Sequence, residues 1–290
     1  MPLKTITKLP EPPARPADSH KGTYGTTIVI GGSPTMIGAP AICARAALRT
    51  GVGLVKVASL PQLMPFIIGI EPGATGIELA GELDNKLAAI DRADHGGKAV
   101  LAVGPGIGVG HDEQHLVLAL LQGRRHMVLD ADGLNLLAAS NRRHTDKGCP
   151  LVLTPHPGEF KRLAESLRIL ESPTDPNSRI IAAAKLALAH HAVVVLKGNR
   201  TVVTDGQVVH VNQTGNAALA TAGSGDVLTG IIAALIAQSM TPLDASVLGV
   251  HIHGLAADHW AVRHGSAGML AHELADMMPD VMQYVRVGNG

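Results

Sequence analysis

Residues 98–108 of the chain read KAVLAVGPGIG, an apolar strand pattern that ends in a turn with three glycines. A helical pattern, DEQHLVLALLQG, begins at residue 112. This succession of strand, turn and helix recurs, which is typical of a parallel sheet covered on both faces. We therefore predict a three-layer α/β/α fold with a central, mostly parallel sheet. The other predicted strands of this kind are TTIVI at 26–30, LVKVAS at 54–59, HMVLD at 126–130, LVLT at 151–154 and VVVLK at 193–197.

The rest of the chain predicts a hairpin, further helices and an N-terminal arm. Asp205 and Gly206 lie between TVVT and QVVHV, and Asp-Gly suits a two-residue hairpin turn. Residues 1–20 contain five prolines, four of them at positions 10, 12, 13 and 16; because prolines remove backbone donors and restrict their neighbours, we predict an extended arm. Residues 21–290 are expected to form one domain. The predicted helices are 39–50, 112–123, a segment opened by Asp175 and Pro176, 226–238, and about 243–262, the last two closing the chain.

The composition narrows the class of protein. The 24 basic and 24 acidic residues give no electrostatic argument for binding nucleic acid or an anionic membrane. The first twenty residues lack the apolar stretch of a secretion signal, and no uncharged apolar run approaches the roughly 20 residues that span a bilayer. Two cysteines, Cys43 and Cys149, are too few for a disulfide framework. We expect a cytoplasmic globular protein that binds neither nucleic acid nor membrane.

Glycines and polar residues follow the predicted strands. In open α/β sheets, ligands bind outside the carboxyl ends of the strands, and glycine there lets a ligand approach the backbone closely. Turns favour such residues in any case, so the five clusters together carry more weight than any one of them. They are GGS at 31–33, GPGIG at 104–108, DADG at 130–133, TPHPGE at 154–159 and KGN at 197–199.

Three common motifs are missing from the sequence. The glycines between 104 and 110 do not fit the Gly-x-Gly-x-x-Gly spacing of a dinucleotide site, and there is no Walker A lysine motif. His272 and Glu273 lack the second histidine of a His-Glu-x-x-His zinc site. Three more histidines are interpreted as ordinary helix residues rather than metal ligands: His251, His253 and His259.

The stretch TAGSGD at 221–226 leads into the apolar helix pattern that follows it. Backbone N–H groups at a helix start, freed by Gly223 and Gly225, form an anion site to which the helix dipole adds positive potential. Asp226 would then lie beside a bound phosphate. The alternative is that Asp226 or Ser224 merely caps the helix, a role worth about 1 kcal/mol. Capping requires neither glycine, so the pair favours the phosphate site.

Gly-x-Gly-Asp at the start of a late helix resembles the ribokinase-like superfamily. Within it, the chain from about Lys21 to about Pro279 is similar to the ADP- or ATP-dependent NAD(P)H-hydrate dehydratase family, and a stand-alone dehydratase is expected because no epimerase domain is present. The His-Pro-Gly-Glu-Phe form at 156–160 resembles the bacterial, ADP-using type. The stretches that carry the resemblance are VIGGSPTMIGAPAICARAALRTGVGLV, VGPGIG, LDADGLNLL, LTPHPGEFKRL, VVLKGNRTVV and NAALATAGSGDVLTGIIAAL.

The resemblance implies a substrate, a reaction and partners. The substrate would be hydrated NADH or NADPH (NADHX or NADPHX), which carries a hydroxyl on C6 of the reduced ring. That hydroxyl would be phosphorylated from ADP or ATP and then lost as phosphate, which restores NAD(P)H; with ADP the other product is AMP. The resemblance also implies Mg²⁺, a homo-oligomer, in particular a tetramer, and a functional link to an NAD(P)H-hydrate epimerase.

The resemblance also assigns roles to residues. Asp226 would be the base that accepts the hydroxyl proton, and we expect the helix start to favour its ionised form, which makes it a weak base. Glu159 would arrange Mg²⁺, directly or through water, although a first-turn glutamate also favours a helix by itself. Ala39, Gly106, His156 and Asp226 would contact the substrate. The nucleotide would be bound by Lys197, Gly198, Asn199, Arg200, Thr201, Asn216, Gly223, Ser224 and Gly225.

Several alternatives stay open. A small-molecule alcohol kinase of the same fold, of the thiazole or pyrimidine type, would share the Gly-Ser-Gly-Asp stretch, and a non-catalytic nucleotide-binding regulator would not need its aspartate. Lys197 could be a surface residue at a strand end, and His156 a turn residue. Asp130 and Asp132 could bind a metal, but the residues favour a structural turn.

Overall fold

The fold is built on one sheet, which a computed structural model shows for residues 3–94, 96–144 and 148–288. The strands in these ranges are β1 (Lys4–Thr5), β2 (Thr26–Ile30), β3 (Leu54–Ser59), β4 (Thr75–Glu78), β5 (Val100–Val103), β6 (Met127–Leu129), β7 (Leu151–Leu153), β8 (Val193–Leu196), β9 (Val202–Thr204) and β10 (Val208–Val211). They pair in the order β1-β10-β9-β8-β7-β6-β5-β2-β3-β4. Only β9 runs antiparallel to its two neighbours among these strands, so the predicted mostly parallel sheet and the hairpin are confirmed.

Helices cover both faces of the sheet. In the described ranges they are α1 (Gly38–Thr50), α2 (Met64–Ile70), α3 (Leu83–Ala93), α4 (His111–Leu121), α5 (Ala131–Ala139), α6 (Pro157–Leu167), α7 (Arg179–His190), α8 (Ser224–Ala237), α9 (Pro242–His264), α10 (Ala271–Asp276) and α11 (Met278–Gly288). No helix of the described ranges is both long and apolar enough to cross a bilayer.

Alternate residues of the strands β2, β3 and β5–β9 point into two separate cores. Val29 of β2 and Val128 of β6 pack in the core that also contains α1, α2 and α8–α11. Ile28 of β2 and Leu129 of β6 pack in the other, with α3–α7. Because strand side chains alternate between the two faces, these inner strands are covered by both helix layers. The predicted three-layer α/β/α architecture is confirmed.

The order of the strands reverses between β2 and β5. The strands β3 and β4 extend the sheet on one side of β2, whereas β5 and the strands that follow it extend it on the other. The two turns after β2 and β5 meet, since the Gly32 N–H donates to the Pro105 carbonyl at 3.0 Å. A Cβ on Gly31 would collide with the same carbonyl, which explains the glycine. Such a reversal is where open α/β sheets place a ligand site.

The N-terminal arm is more ordered than an extended proline-rich segment requires. Lys4 and Thr5 pair in parallel with β10, so the arm supplies the edge strand of the sheet. The Arg15 guanidinium stacks 4.0 Å from the centre of the Tyr24 ring and also donates to the Gly51 carbonyl. The sequence did not indicate this pairing because the partner strand lies about 200 residues away.

Two predictions about helices are wrong, namely the number of helices that close the chain and the start of the helix near Asp175. The chain does not close with two helices, because α10 and α11 follow α9. The six residues of α10 are too few to show a period, and Pro279 suggests a break but is tolerated in the first turn of α11. The helix expected to open at Asp175 begins at Arg179, since the Asp175 carboxylate instead accepts hydrogen bonds within the preceding turn.

Candidate active site

Four charged side chains meet at the carboxyl edge of the sheet. Asp130 follows β6, Glu159 lies in the first turn of α6 after β7, Lys197 follows β8, and Asp226 lies in the first turn of α8. They come from positions up to 96 residues apart in sequence. The clusters that follow the strands therefore do converge, as predicted from the parallel sheet.

The start of α8 is not held by a side-chain cap. Gly223 occupies the N-cap position with a φ of 86°, and none of the described side chains donates or accepts a capping hydrogen bond there. The Ser224 hydroxyl instead donates to the Leu219 carbonyl at 2.9 Å. The left-handed φ explains the glycine at 223. The capping role considered for Asp226 or Ser224 is therefore wrong, and the carboxylate of Asp226 is left available for chemistry.

Gly225 has a different reason to be glycine. Its φ is not in the left-handed region, so its backbone suits any residue. A Cβ at this position would lie 3.3 Å from Lys197 Nζ and 3.7 Å from Asp130 Oδ2. The backbone of Gly225 thus lies directly against the charged cluster, and its missing side chain keeps the N–H groups of the turn accessible.

Lys197 is the centre of the cluster. Its Nζ donates to Asp130 Oδ1 at 2.7 Å and lies 3.7 Å from Glu159 Oε2. The second oxygen of Asp130 accepts a hydrogen bond from the Thr229 hydroxyl at 2.7 Å. The side chain of Lys197 is only 18% exposed and that of Asp130 only 2%. Lys197 is therefore not the surface residue considered as an alternative. The carboxylate of Asp130 makes no capping bond to α5, but its backbone carbonyl accepts the Gly133 N–H at 2.9 Å, so Asp130 combines the favoured structural turn with a buried ion pair.

Burial tunes the ionisation of the cluster. It raises the pKa of Asp226 from 3.8 to about 7, with a further contribution from Asp130 that Lys197 partly opposes. Burial also raises the pKa of Glu159, against the effect of Lys197. The pKa of Lys197 is lowered by burial, but Asp130 and Glu159 outweigh this and raise it overall. The expectation that Asp226 would be a weak base with a low pKa is therefore not met, because burial raises the pKa of this carboxyl.

His156 caps α6 and lies beside Glu159. Its Nδ1 accepts hydrogen bonds from the N–H groups of Gly158, at 2.9 Å, and Glu159, at 3.4 Å. Glu159 Oε2 in return accepts the His156 N–H at 2.8 Å, which completes a capping box. Because Nδ1 is an acceptor, a neutral His156 carries its proton on Nε2, 3.4 Å from Glu159 Oε1. The half-exposed ring is thus held at the strand end.

A cleft of about 610 Å³ opens beside the cluster. It lies between the turn after β8 and the segment that leads into α8. Of the nine residues predicted to bind the nucleotide, Gly223 does not line the cleft. The other eight do: Lys197, Gly198, Asn199, Arg200, Thr201, Asn216, Ser224 and Gly225. The side chain of Asn216 is fixed by donation to Asp258 Oδ1 at 2.9 Å and by acceptance from the Ala218 N–H at 2.8 Å.

The two remaining residues predicted to contact the substrate are neighbours. Gly106 has a φ of 61°, and a Cβ there would lie 3.3 Å from the Cβ of Ala39 and 2.7 Å from that of Met36. Asp132 Oδ2 accepts the Gly108 N–H at 2.9 Å, so the glycine-rich turn is tied to the start of α5. These residues lie at the β2–β5 switch point, next to the charged cluster.

Sequence reasoning missed several residues of this site. Thr229 looked like an ordinary residue of an apolar helix, and Asn212 and Thr214, which line the cleft, lie outside any motif. His253 also lines the cleft and shares a hydrogen bond of 2.9 Å between its Nε2 and the Ser224 carbonyl. The signal for Asp130 was present, since it directly follows a buried strand as Lys197 does. Within the described ranges, no group of three or more His, Cys, Asp and Glu residues is arranged to hold a metal ion.

Comparison with known proteins gives a consistent result. The bifunctional NAD(P)H-hydrate repair enzyme Nnr of Moorella thermoacetica is 41% identical over 93% of this chain. The chain spans 52% of that protein, and about half the length of other bifunctional relatives. The ADP-dependent (S)-NAD(P)H-hydrate dehydratase of Bacillus subtilis is 35% identical, and the match covers 93% of both chains.

Solved structures and the family profile agree with these relatives. A crystal structure of the ADP/ATP-dependent NAD(P)H-hydrate dehydratase from Bacillus subtilis, co-crystallised with ATP and Mg²⁺, superposes with a TM-score of 0.79. It is 32% identical in sequence, and the match covers 94% of each chain. The family profile described as NAD(P)H-hydrate dehydratase matches residues 27–280. The resemblance predicted from the sequence is thus confirmed, and the chain belongs to the NAD(P)H-hydrate dehydratase family.

Proposed function

We propose that this protein is an ADP-dependent (S)-NAD(P)H-hydrate dehydratase, a carbon–oxygen lyase that repairs NADHX and NADPHX. The observation that carries the proposal is the position of Asp226. This carboxylate has a pKa of about 7 and lies at the start of α8, beside the Gly225 backbone and a cleft large enough for a nucleotide. A base works best when its pKa is close to the working pH.

The reaction proceeds in two stages. In the first, Asp226 accepts the proton of the C6 hydroxyl while the hydroxyl oxygen attacks the β-phosphorus of ADP, whose bond to AMP breaks. In the second, the C6–O bond breaks, phosphate leaves with that oxygen, and a proton is lost from the neighbouring ring carbon to restore NAD(P)H. Phosphate is a much better leaving group than hydroxide, which explains the need for a nucleotide.

The turn before α8 and the cleft would bind different parts of the reactants. The N–H groups of Gly223, Ser224 and Gly225 would stabilise charge on the transferred phosphoryl group, as oriented backbone donors do at a helix start. Lys197 would add a positive charge at the same place. The support for nucleotide binding is that residues 198–201 and Asn216 line the same cleft. On the opposite side, Ala39, Gly106 and His156 would contact the substrate.

The side chains of this site could accommodate Mg²⁺ only if the nucleotide supplied most of the ligands of the ion. Glu159 Oε2 already accepts the His156 N–H at 2.8 Å and lies 3.7 Å from the ammonium of Lys197. Mg²⁺ usually keeps several waters and combines one or two carboxylates with substrate phosphates. Glu159 would therefore act through water. Such an ion, when bound, would neutralise charge on the phosphates.

The setting of the enzyme is also part of the proposal. Residues 21–290 would act as one domain with residues 1–20 as an arm, in a cytoplasmic homo-oligomer, in particular a tetramer. A separate NAD(P)H-hydrate epimerase would supply the reactive epimer. The proposed link to an epimerase is supported by the relatives that are bifunctional NAD(P)H-hydrate repair enzymes.

The experiment that tests the function is incubation with hydrated NADH and either ADP or ATP. We expect the absorbance band of the reduced nicotinamide to return, and faster with ADP than with ATP at saturating concentrations. A phosphorylated product that persists would instead identify an alcohol kinase. A higher initial rate with ATP would overturn the ADP preference but leave the dehydratase function in place.

A further inference from the structure

The carboxylate of Asp130 is buried at the centre of the site, although neither the motif nor the proposed mechanism gives it a role. Both of its oxygens are used by neutral or cationic donors from different elements. Oδ1 accepts from Lys197 Nζ and Oδ2 from the Thr229 hydroxyl, each at 2.7 Å. Asp130 thus joins the end of β8 to the helix α8, in which Thr229 lies one turn after Asp226.

The backbone around Asp130 is held in an unusual conformation. Ala131 has a φ of 50°, in the left-handed region that residues other than glycine rarely adopt. The turn before it is tightly packed, because a Cβ on Gly104 would collide with the Asp130 carbonyl. A strained backbone of this kind is maintained only where contacts with the surrounding structure fix it. Such residues cluster at functional sites, which supports a functional role for this turn.

We propose that Asp130, anchored by Thr229, is a positioning residue that holds the Lys197 ammonium against the Gly225 backbone, where the transferred phosphoryl group would bind. The inference rests on the proposed function. Without Asp130, Lys197 would be free to move to Glu159, 3.7 Å away, or towards Asp226. Movement to Glu159 would take positive charge from the phosphoryl position, and movement towards Asp226 would change the ionisation of the base.

The pKa of Asp226 would reveal a change in this arrangement, because the charge of Asp130 affects that pKa directly. The negative charge of Asp130 helps to keep the pKa of Asp226 high, after the larger effect of burial. Loss of that charge, with Lys197 nearer, lowers the pKa of Asp226, so the base stays ionised at lower pH. The ionisable groups that act on or lie near Asp226 are Asp130, Lys197, Asp132, Glu159 and the buried thiol of Cys43.

The test compares Asp130→Asn with a matched variant, Asp94→Asn. Asp94 is another buried aspartate in an ion pair, 2.6 Å from Arg125 Nε, but it lies far from the nucleotide cleft in the turn after α3. We expect Asp130→Asn to lower kcat by about 10²-fold, the cost typical of a misplaced group. It should also weaken ADP binding in calorimetry and move the acid limb of kcat/KM below pH of about 7. Asp94→Asn should lower only the melting temperature.

Thr229 provides a second, gentler test. Thr229→Val keeps the shape of the side chain but removes the hydroxyl that anchors Asp130, so we expect it to lower kcat and to weaken ADP binding, as Asp130→Asn does. Thr229→Ser should restore most of the lost activity because it keeps the donor. If Asp130→Asn does not fold, this pair decides the question.

The proposal is overturned if Asp130→Asn and Thr229→Val behave like Asp94→Asn, with turnover per folded molecule and the pH profile as in the wild type. Failure of the proposed function would look different. In that case the wild type would not convert hydrated NADH at all, whereas calorimetry with ADP would still show whether Asp130→Asn weakens nucleotide binding.

Discussion

Asp226 has two properties that conflict in an ordinary surface carboxylate. It lies at a helix start, which favours the ionised form, yet burial and the charge of Asp130 raise its pKa to about 7. The result is a base that is both available and effective near neutral pH. The same residue is therefore expected to be important for turnover and unfavourable for stability.

Asp226→Asn is expected to lower turnover by about 10²–10⁴, the usual contribution of a positioned base. ADP binding should be largely retained, since the backbone N–H groups of the turn and Lys197 are unchanged. Steady-state kinetics with hydrated NADH measures the first effect and calorimetry with ADP the second. Near-normal turnover in a folded variant would show that Asp226 is not the base.

The pH dependence of the wild type follows from the same pKa. Since a base must be ionised, kcat/KM should fall as pH decreases through about 7. Stability changes in the opposite direction, because a carboxylate whose folded-state pKa is raised costs stability as it ionises. That cost is absent well below the unfolded-state pKa of 3.8 and grows as pH rises to about 7.

Thermal unfolding separates this effect from a loss of activity. At pH of about 8, Asp226→Asn should melt a few degrees higher than the wild type. The difference should shrink towards zero as pH falls below the unfolded-state pKa of 3.8, because the carboxyl then becomes protonated in both states. An equal melting temperature at both pH values would contradict the raised pKa.

Gly225→Ala should affect function more than folding. Its Cβ would enter the space beside Lys197 Nζ, 3.3 Å away, while the backbone conformation remains ordinary. We expect a large loss of activity and weaker ADP binding in a protein that melts within a few degrees of the wild type. Gly69→Ala is the matched control, because a Cβ there meets no described atom within 4 Å. A lower melting temperature with unchanged activity per folded molecule would contradict the assignment of Gly225 to a phosphate-binding turn.

At the scale of elements, the position of α8 depends on its contact with α1. Gly230 of α8 faces α1 so closely that a Cβ would collide with the Cys43 carbonyl and lie 3.0 Å from the Cβ of Ala46. Helix backbones approach this closely only where one side chain is missing. The contact sets how far the first turn of α8, with Asp226, extends over the edge of the sheet.

Gly230→Ala is expected to destabilise the protein by about 1–3 kcal/mol, as overpacking of a core usually does. Because α8 must shift, turnover should decrease as well. Denaturant unfolding measures the first effect, again with Gly69→Ala as the control. Unchanged stability would mean that α1 and α8 can separate without cost.

The elements also show which features were predictable from sequence. Strands such as β2 and β5 are short, apolar and bounded by glycines, so their local pattern was sufficient. Edge strands are different: β1 has two residues, and only its pairing with β10 makes it a strand. Similarly, the predicted helices do not include α5 and α6, which begin within the clusters at 130–133 and 154–159, where polar residues and glycines mask the helix starts.

For the whole molecule, the parallel sheet predicted where a site should be but not how its charges pair. The motif at 221–226 indicated Asp226, and the strand ends indicated Lys197. The bond between Asp130 and Lys197, 67 positions apart, depends on side-chain directions that no local pattern contains. The same holds for the pKa of Asp226, because its burial is a property of the assembled fold.

The most direct test of the central claim follows the substrate oxygen. NADH hydrated in heavy-oxygen water carries the label on its C6 hydroxyl, and the protein is incubated with this substrate and unlabelled ADP. If the hydroxyl is phosphorylated before it leaves, mass spectrometry will find one heavy oxygen in each released phosphate. Label found in water instead, with unlabelled phosphate, would mean that the hydroxyl leaves without phosphorylation and would contradict the proposed mechanism.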